Sequence, residues 1–204
     1  MEENTNKTNI ISLDLKKGMS LDLTKHDNTL KVMKIGLGWK TTYDLDVMAF
    51  TVDRKGIIQD TICYYNPDEK GISLDGDDRI GGKEGDCETL TVIFDSLPQE
   101  ITKIMICANI YNAKPTKIVK KGLFHKKEET IEGDTFKNVK GSYIRLYNAN
   151  TNIELCKYSL EEDGSDFNAF HFANLIKQPN GEWSFVTIGE GMNGSIEQIR
   201  KKLS

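Results

Sequence analysis

Carboxylates gather in two short stretches of this chain. Asp44 and Asp46 stand two residues apart, and a glycine-studded run carries Asp75, Asp77, Asp78, Glu84, Asp86 and Glu88. Two carboxylates about 5 Å apart repel by roughly 3 kcal/mol at an effective dielectric near 20. Such loops either stay splayed in water or are held together by a cation, and the spacing favours the cation. Asp44 and Asp46 alternate on a strand-like segment, so both point to one side. Gly76, Gly81, Gly82 and Gly85 let the later loop fold tightly and turn its carbonyls inward. Carboxylates plus carbonyls form an oxygen ligand set, which suits Ca²⁺ better than zinc or copper. An EF-hand does not fit, because a loop starting at Asp75 would place Arg79 at its fifth position and no flanking helices are predicted.

The elements that must position these acids are mostly strands. Short apolar or alternating runs occur at Ile10–Leu15, Leu30–Leu37, Leu45–Val52, Ile57–Tyr65, Leu90–Phe94, Ile104–Tyr111, Tyr143–Tyr147 and Ile153–Tyr158. Most are separated by Gly, Asn, Asp or Pro. Ala169–Ile176 and Trp183–Ile188 flank Gln178-Pro179-Asn180-Gly181, whose Asn-Gly pair supplies the positive φ angles of a tight hairpin. Phe170 and Phe172 share one face of the first arm, and Trp183 and Phe185 one face of the second. A single C-terminal helix is expected, with Ser195 as N-cap, Gln198 three positions on, and Ile196, Ile199 and Leu203 as its apolar stripe. Many short strands with turn residues between them predict an all-β fold, a two-sheet β-sandwich with a short C-terminal helix.

At 204 residues the chain suits one domain over 10–204, after a polar tail at 1–9 expected to be disordered. Residues 113–140, with eight lysines interleaved with acids, are expected to form a lysine-rich surface loop. Residues 41–90 hold twelve acids against five bases, a balance of −7, whereas the whole chain carries −4. That asymmetry argues against nucleic-acid binding, which needs clustered Lys and Arg. The first nine residues have no apolar core of a signal peptide, and no apolar run has membrane-spanning length. Cys63, Cys87, Cys107 and Cys156 lack paired spacing and read as buried free thiols, which points to a cytoplasmic protein. His26, His125 and His171 have no metal-ligand spacing, and no nucleophile elbow, P-loop or dinucleotide fingerprint occurs.

Taken in order, Ile35-Gly36-Leu37-Gly38-Trp39, Tyr43-Asp44-Leu45-Asp46, Ala49-Phe50 and Tyr64-Tyr65-Asn66 resemble the start of the TerD family of tellurium-resistance and general stress proteins. The likeness continues through Gly76-Asp77-Asp78-Arg79, Gly85-Asp86-Cys87-Glu88, Tyr143-Ile144-Arg145-Leu146, Asn180-Gly181-Glu182-Trp183 and Gly189-Glu190-Gly191. It covers roughly residues 10–192, apart from the lysine-rich loop. The resemblance implies a β-sandwich that binds calcium in acidic loops and acts without catalysis. Asp44 and Asp46 would supply one edge of the metal site, and Asp77, Asp78, Glu84, Asp86 and Glu88 would line the other. The family pattern usually has Asn at the place of Asp78, Glu-Gly-Asp where this chain has Gly82-Lys83-Glu84, and a second Asp where Cys87 stands. For a family site that holds two calcium ions, those departures imply one well-held ion and a second held poorly. The resemblance also implies partners in a stress-resistance complex, with an integral membrane protein among the candidates; neither nucleic-acid binding nor direct membrane insertion is expected. Two alternatives stay open: a metal-dependent phosphoester hydrolase built on the acidic cluster, and a cyclic-nucleotide-binding module, an activity described for some relatives.

Overall fold

Alternation along Leu45–Asp53 shows how the chain is layered. Leu45, Val47 and Ala49 enter one hydrophobic cluster, while Met48, Phe50 and Val52 enter a second on the opposite side, so the segment is buried on both faces. The computed structural model describes residues 18–23, 30–82, 84–121 and 127–204. The expected tail at 1–9 and the expected strand Ile10–Leu15 lie outside those residues.

The strands are β1 (Ser20–Asp22), β2 (Val32–Gly38), β3 (Leu45–Asp53), β4 (Ile58–Ile62), β5 (Asp68–Glu69), β6 (Ile72–Asp75), β7 (Glu88–Ile93), β8 (Ile101–Ile110), β9 (Lys117–Lys121), β10 (Lys127–Ile131), β11 (Tyr143–Asn148), β12 (Glu154–Ser159), β13 (Ala169–Lys177) and β14 (Trp183–Met192). Two α-helices are described, α1 (Leu160–Asp163) and α2 (Ile196–Leu203). One six-stranded sheet has the order β1-β14-β13-β8-β3-β4 and the other β12-β11-β2-β7-β6-β5. They pack face to face over a core to which Val47, Ile106, Phe170, Phe172 and Phe185 come from the first sheet and Ile35, Leu37, Leu90, Ile144 and Leu146 from the second. This is the expected β-sandwich.

The second cluster lies on the outer face of the first sheet, beneath α2. Ile196 and Ile199 of that helix pack on Met48, Phe50, Met105 and Cys107, and Leu203 packs at the margin. Ser195 caps the helix through a capping box with Gln198, as its sequence predicts. The Gln178–Gly181 turn joins β13 to β14 in an antiparallel hairpin, with Gly181 at φ +89°. All four cysteines are buried, and none of them forms a disulfide among the described residues.

The lysine-rich segment contains two described strands. Within it β9 and β10 pair with each other alone, forming a two-stranded ribbon separate from both sheets. Asp134 ties its base, accepting from the Lys114 N–H at 2.8 Å while its own N–H donates to Lys114 O at 2.9 Å. Ile118 and Ile131, two of its few apolar side chains, are exposed.

Candidate metal centre

Asp44, Asp46, Asp77, Asp78 and Glu88 come together at one end of the sandwich, where β3 begins, β8 ends and β7 begins. Strand β4 pairs with β3 only from Ala49 onward, which leaves the start of β3 without a neighbour on that side. Glu88, the first residue of β7, fills that gap from the opposite sheet: its Oε2 accepts from the Val47 N–H at 2.8 Å. Glu88 is 1% exposed and Asp46 2% exposed. Asp46 sits opposite Asn109 of β8 in the strand register, and Asn109 is also buried. Asp44 lies just before β3, its backbone oxygen accepting from the Tyr111 N–H at 2.8 Å.

The oxygens here are short of partners. Asp44 Oδ1, Asp46 Oδ2, Glu88 Oε1 and Asn109 Oδ1 are buried and meet no hydrogen-bonding group among the described residues. An unpaired buried acceptor costs about 1–3 kcal/mol, and more when charged. The titration of these groups registers the strain. Burial first, then the charges of Asp44 and Asp77, raises the Asp46 pKa to about 7. Burial raises that of Glu88 to about 9, against the lowering effect of the Val47 N–H and with further raising by Asp46, Asp77 and Asp44. Asp44 is raised as well, by burial and then by Asp77. Arg79 opposes the rise at Asp44 and Asp46.

The seven sequence-derived candidates therefore divide. Asp44, Asp46, Asp77 and Glu88 share one electrostatic neighbourhood, with Asp77 exposed and bonded to Arg79 at 2.9 and 3.2 Å. Asp78 stands beside them, and its Oδ1 accepts from the Ile80 and Gly81 N–H groups at 3.1 and 3.0 Å, a turn that shapes the loop. Glu84 is exposed to solvent. Asp86 is engaged elsewhere, on the outer face of the second sheet. It accepts two hydrogen bonds of 2.8 Å from Arg145 and one of 3.0 Å from Tyr143. Gly36 makes room for it, since a Cβ there would lie 2.2 Å from the Asp86 carboxyl carbon. Asp86 thus anchors the acidic loop to β2 and β11. The loop is fastened again where the Gly82 N–H donates to Trp39 O at 3.0 Å and the Cys87 N–H to Leu37 O at 2.7 Å.

Among the described residues, no three His, Cys, Asp or Glu groups are gathered closely enough to hold a metal as they stand. The fit lies in the donor chemistry: the unsatisfied atoms of Asp44, Asp46, Glu88 and Asn109 are carboxylate and amide oxygens, the ligand class of a hard divalent cation. Two contributors were not singled out from sequence. Asn109 interrupts the end of an apolar strand, a faint signal, and Arg145 sits between Ile144 and Leu146, a charge inside a core strand.

A family model described as the TerD domain matches residues 11–203. The chain belongs to the TerD domain family. Among its relatives, the tellurium resistance protein TerD of Serratia marcescens is 30% identical over 200 residues, covering 93% of this chain and 95% of that one. General stress protein 16U of Bacillus subtilis (strain 168) is 31% identical over 201 residues, with 93% and 95% covered. A crystal structure of a TerD homologue from Streptomyces coelicolor A3(2) superposes with a TM-score of 0.68 at 18% identity, over 86% of this chain and 98% of that one, which supports the TerD sandwich fold. These relatives of the TerD chain bear names of resistance and stress proteins rather than of enzymes. Among the described residues, no helix is long and apolar enough to cross a membrane.

Proposed function

We propose that this TerD-family protein is a cytoplasmic, calcium-binding stress-response protein that contributes to tellurite and chemical-stress resistance through metal binding and partner contacts. The observation that carries the reading is the set of four buried, unpartnered oxygens on Asp44, Asp46, Glu88 and Asn109. Asp44, Asp46 and Glu88 would hold the ion from the strand ends, and Asp77 would join them from the exposed loop. Calcium would supply the positive charge that lets these carboxyls ionise side by side. Arg79 serves as the local counter-charge on Asp77, and the ion would take over that role. Asp86 keeps its place on Arg145 and holds the loop root while the loop tip adjusts. Family membership and the names of the relatives support the stress-response setting.

Thermal denaturation with and without calcium tests the reading. An ion that binds only the native state stabilises by about 2.7 kcal/mol at a hundredfold excess over Kd. For a chain of this length that corresponds to roughly 5–10 °C in Tm. Asp44→Asn combined with Asp46→Asn removes the gain. A parent protein whose Tm ignores calcium contradicts the proposal.

A further inference from the structure

On the outer face of the first sheet, beside α2, lies a cleft of about 510 Å³, within the range of small-molecule sites. Asp46 and Asn109 line its base, Tyr64 and Tyr111 one side, and Asn168, Asn193 and the first turn of α2 the other. Asp46 and Asn109 are at most 3% exposed, and each has a side-chain oxygen that meets no partner among the described residues. The amides on the far wall are fixed in the opposite sense. Asn168 Oδ1 accepts from the Gly194 N–H at 2.9 Å and Asn193 Oδ1 from the Asn168 N–H at 3.0 Å, so each presents its NH₂ as the remaining donor.

The ligand class follows by matching. Among the described residues no lysine, arginine or histidine lines the cleft, and Asp46 and Glu197 both carry carboxyls, so an anion is repelled. A cation engages the Asp46 and Asn109 oxygens alone and makes no use of the amide donors. A hydroxyl group donates and accepts, and suits both walls. Tyr64 and Tyr111 meet edge to face at 5.5 Å and are 37% and 39% exposed, leaving ring surface for an apolar C–H face. We propose that this cleft binds a neutral polyhydroxylated ligand, a mono- or disaccharide, with Asp46 and Asn109 accepting from its hydroxyls, the Asn168 and Asn193 amides donating to them, and the tyrosines against its ring. The site shares Asp46 and Asn109 with the calcium reading, so sugar and ion would compete for those oxygens, and the sugar does not require the ion.

Saturation-transfer difference NMR on the full-length protein, with glucose, galactose, N-acetylglucosamine and maltose as probes, tests the assignment in EDTA and again with calcium. Saturation transfer to at least one sugar is expected in EDTA, weakened when calcium is added. Asn109→Leu abolishes it, and Tyr111→Ala weakens binding about three- to tenfold. Tyr111 is partly exposed, so its variant keeps the test intact if the strand substitution at Asn109 impairs folding. Transfer from none of the four sugars overturns the proposal, as does transfer unchanged in both variants. Preferential occupancy of the same residues by tetramethylammonium or inorganic phosphate also overturns it. Sugar binding without a calcium-dependent Tm shift would remove the calcium reading alone, and a Tm shift without sugar binding would remove only this one.

Discussion

Asp86 and Arg145 meet through two hydrogen bonds of 2.8 Å, with the Asp86 side chain 7% exposed and Arg145 lying 4.5 Å above the Tyr147 ring. Truncating the arginine leaves a nearly buried carboxylate whose described side-chain partners are neutral tyrosine hydroxyls, Tyr143 at 3.0 Å among them. Arg145→Ala is therefore expected to cost about 2–4 kcal/mol in urea denaturation, and the Asp86→Ala/Arg145→Ala pair less than the two single losses added. Gly36→Ala tests the same contact from beneath, because its Cβ overlaps the Asp86 carboxyl and must expel it. At the acidic centre the sign of the pH effect is opposite to that of an ordinary salt-bridged acid. Asp46 and Glu88 have folded pKa values of about 7 and about 9, above their unfolded values of 3.8 and 4.5. Between those limits the native state binds more protons than the unfolded one, so stability falls as pH rises. In EDTA the protein should be more stable at pH 5 than at pH 8, and Asp46→Asn with Glu88→Gln should flatten that slope. Calcium needs both groups ionised, so its affinity should climb over the same interval.

Among the elements, the β9–β10 ribbon pairs only with itself, and its ends, Lys117 and Ile131, lie opposite each other. Replacing residues 118–130 with Asn-Gly, a two-residue hairpin turn, should leave Tm within a few degrees of the parent and the calcium response unchanged. Helix α2 is different, because it seals the second hydrophobic cluster. Ser195→Ala removes the cap that begins it and is expected to cost about 1 kcal/mol in chemical denaturation. The β13–β14 hairpin was legible in the sequence because Asn180-Gly181 and the paired aromatics are local signals. The ribbon was not, since its short strands alternate charge with few apolar residues. Strands β5 and β6 also escaped notice, being two and four residues long and set between turn signals.

For the whole molecule, the layering of two sheets under one capping helix brings residues distant in sequence to one end, and sequence reading covers only part of that convergence. Asp44 and Asp46 were accessible because strand spacing is local. Asn109 was not, because it reaches Asp46 only through the β3–β8 register. Asp86 and Glu88 are two residues apart like Asp44 and Asp46, yet the turn of the chain at Cys87, which is buried with its thiol donating to Trp39 O, sends them to different faces. Spacing alone cannot register that turn. Isothermal calorimetry of calcium into the intact protein at pH 8 tests the central claim most directly. A saturable heat is expected, with at least one ion bound per chain and no such heat in the Asp46→Asn variant. A flat titration in the parent, or an unaltered isotherm in that variant, would contradict the assignment of Asp46, Asp44 and Glu88 as a calcium centre.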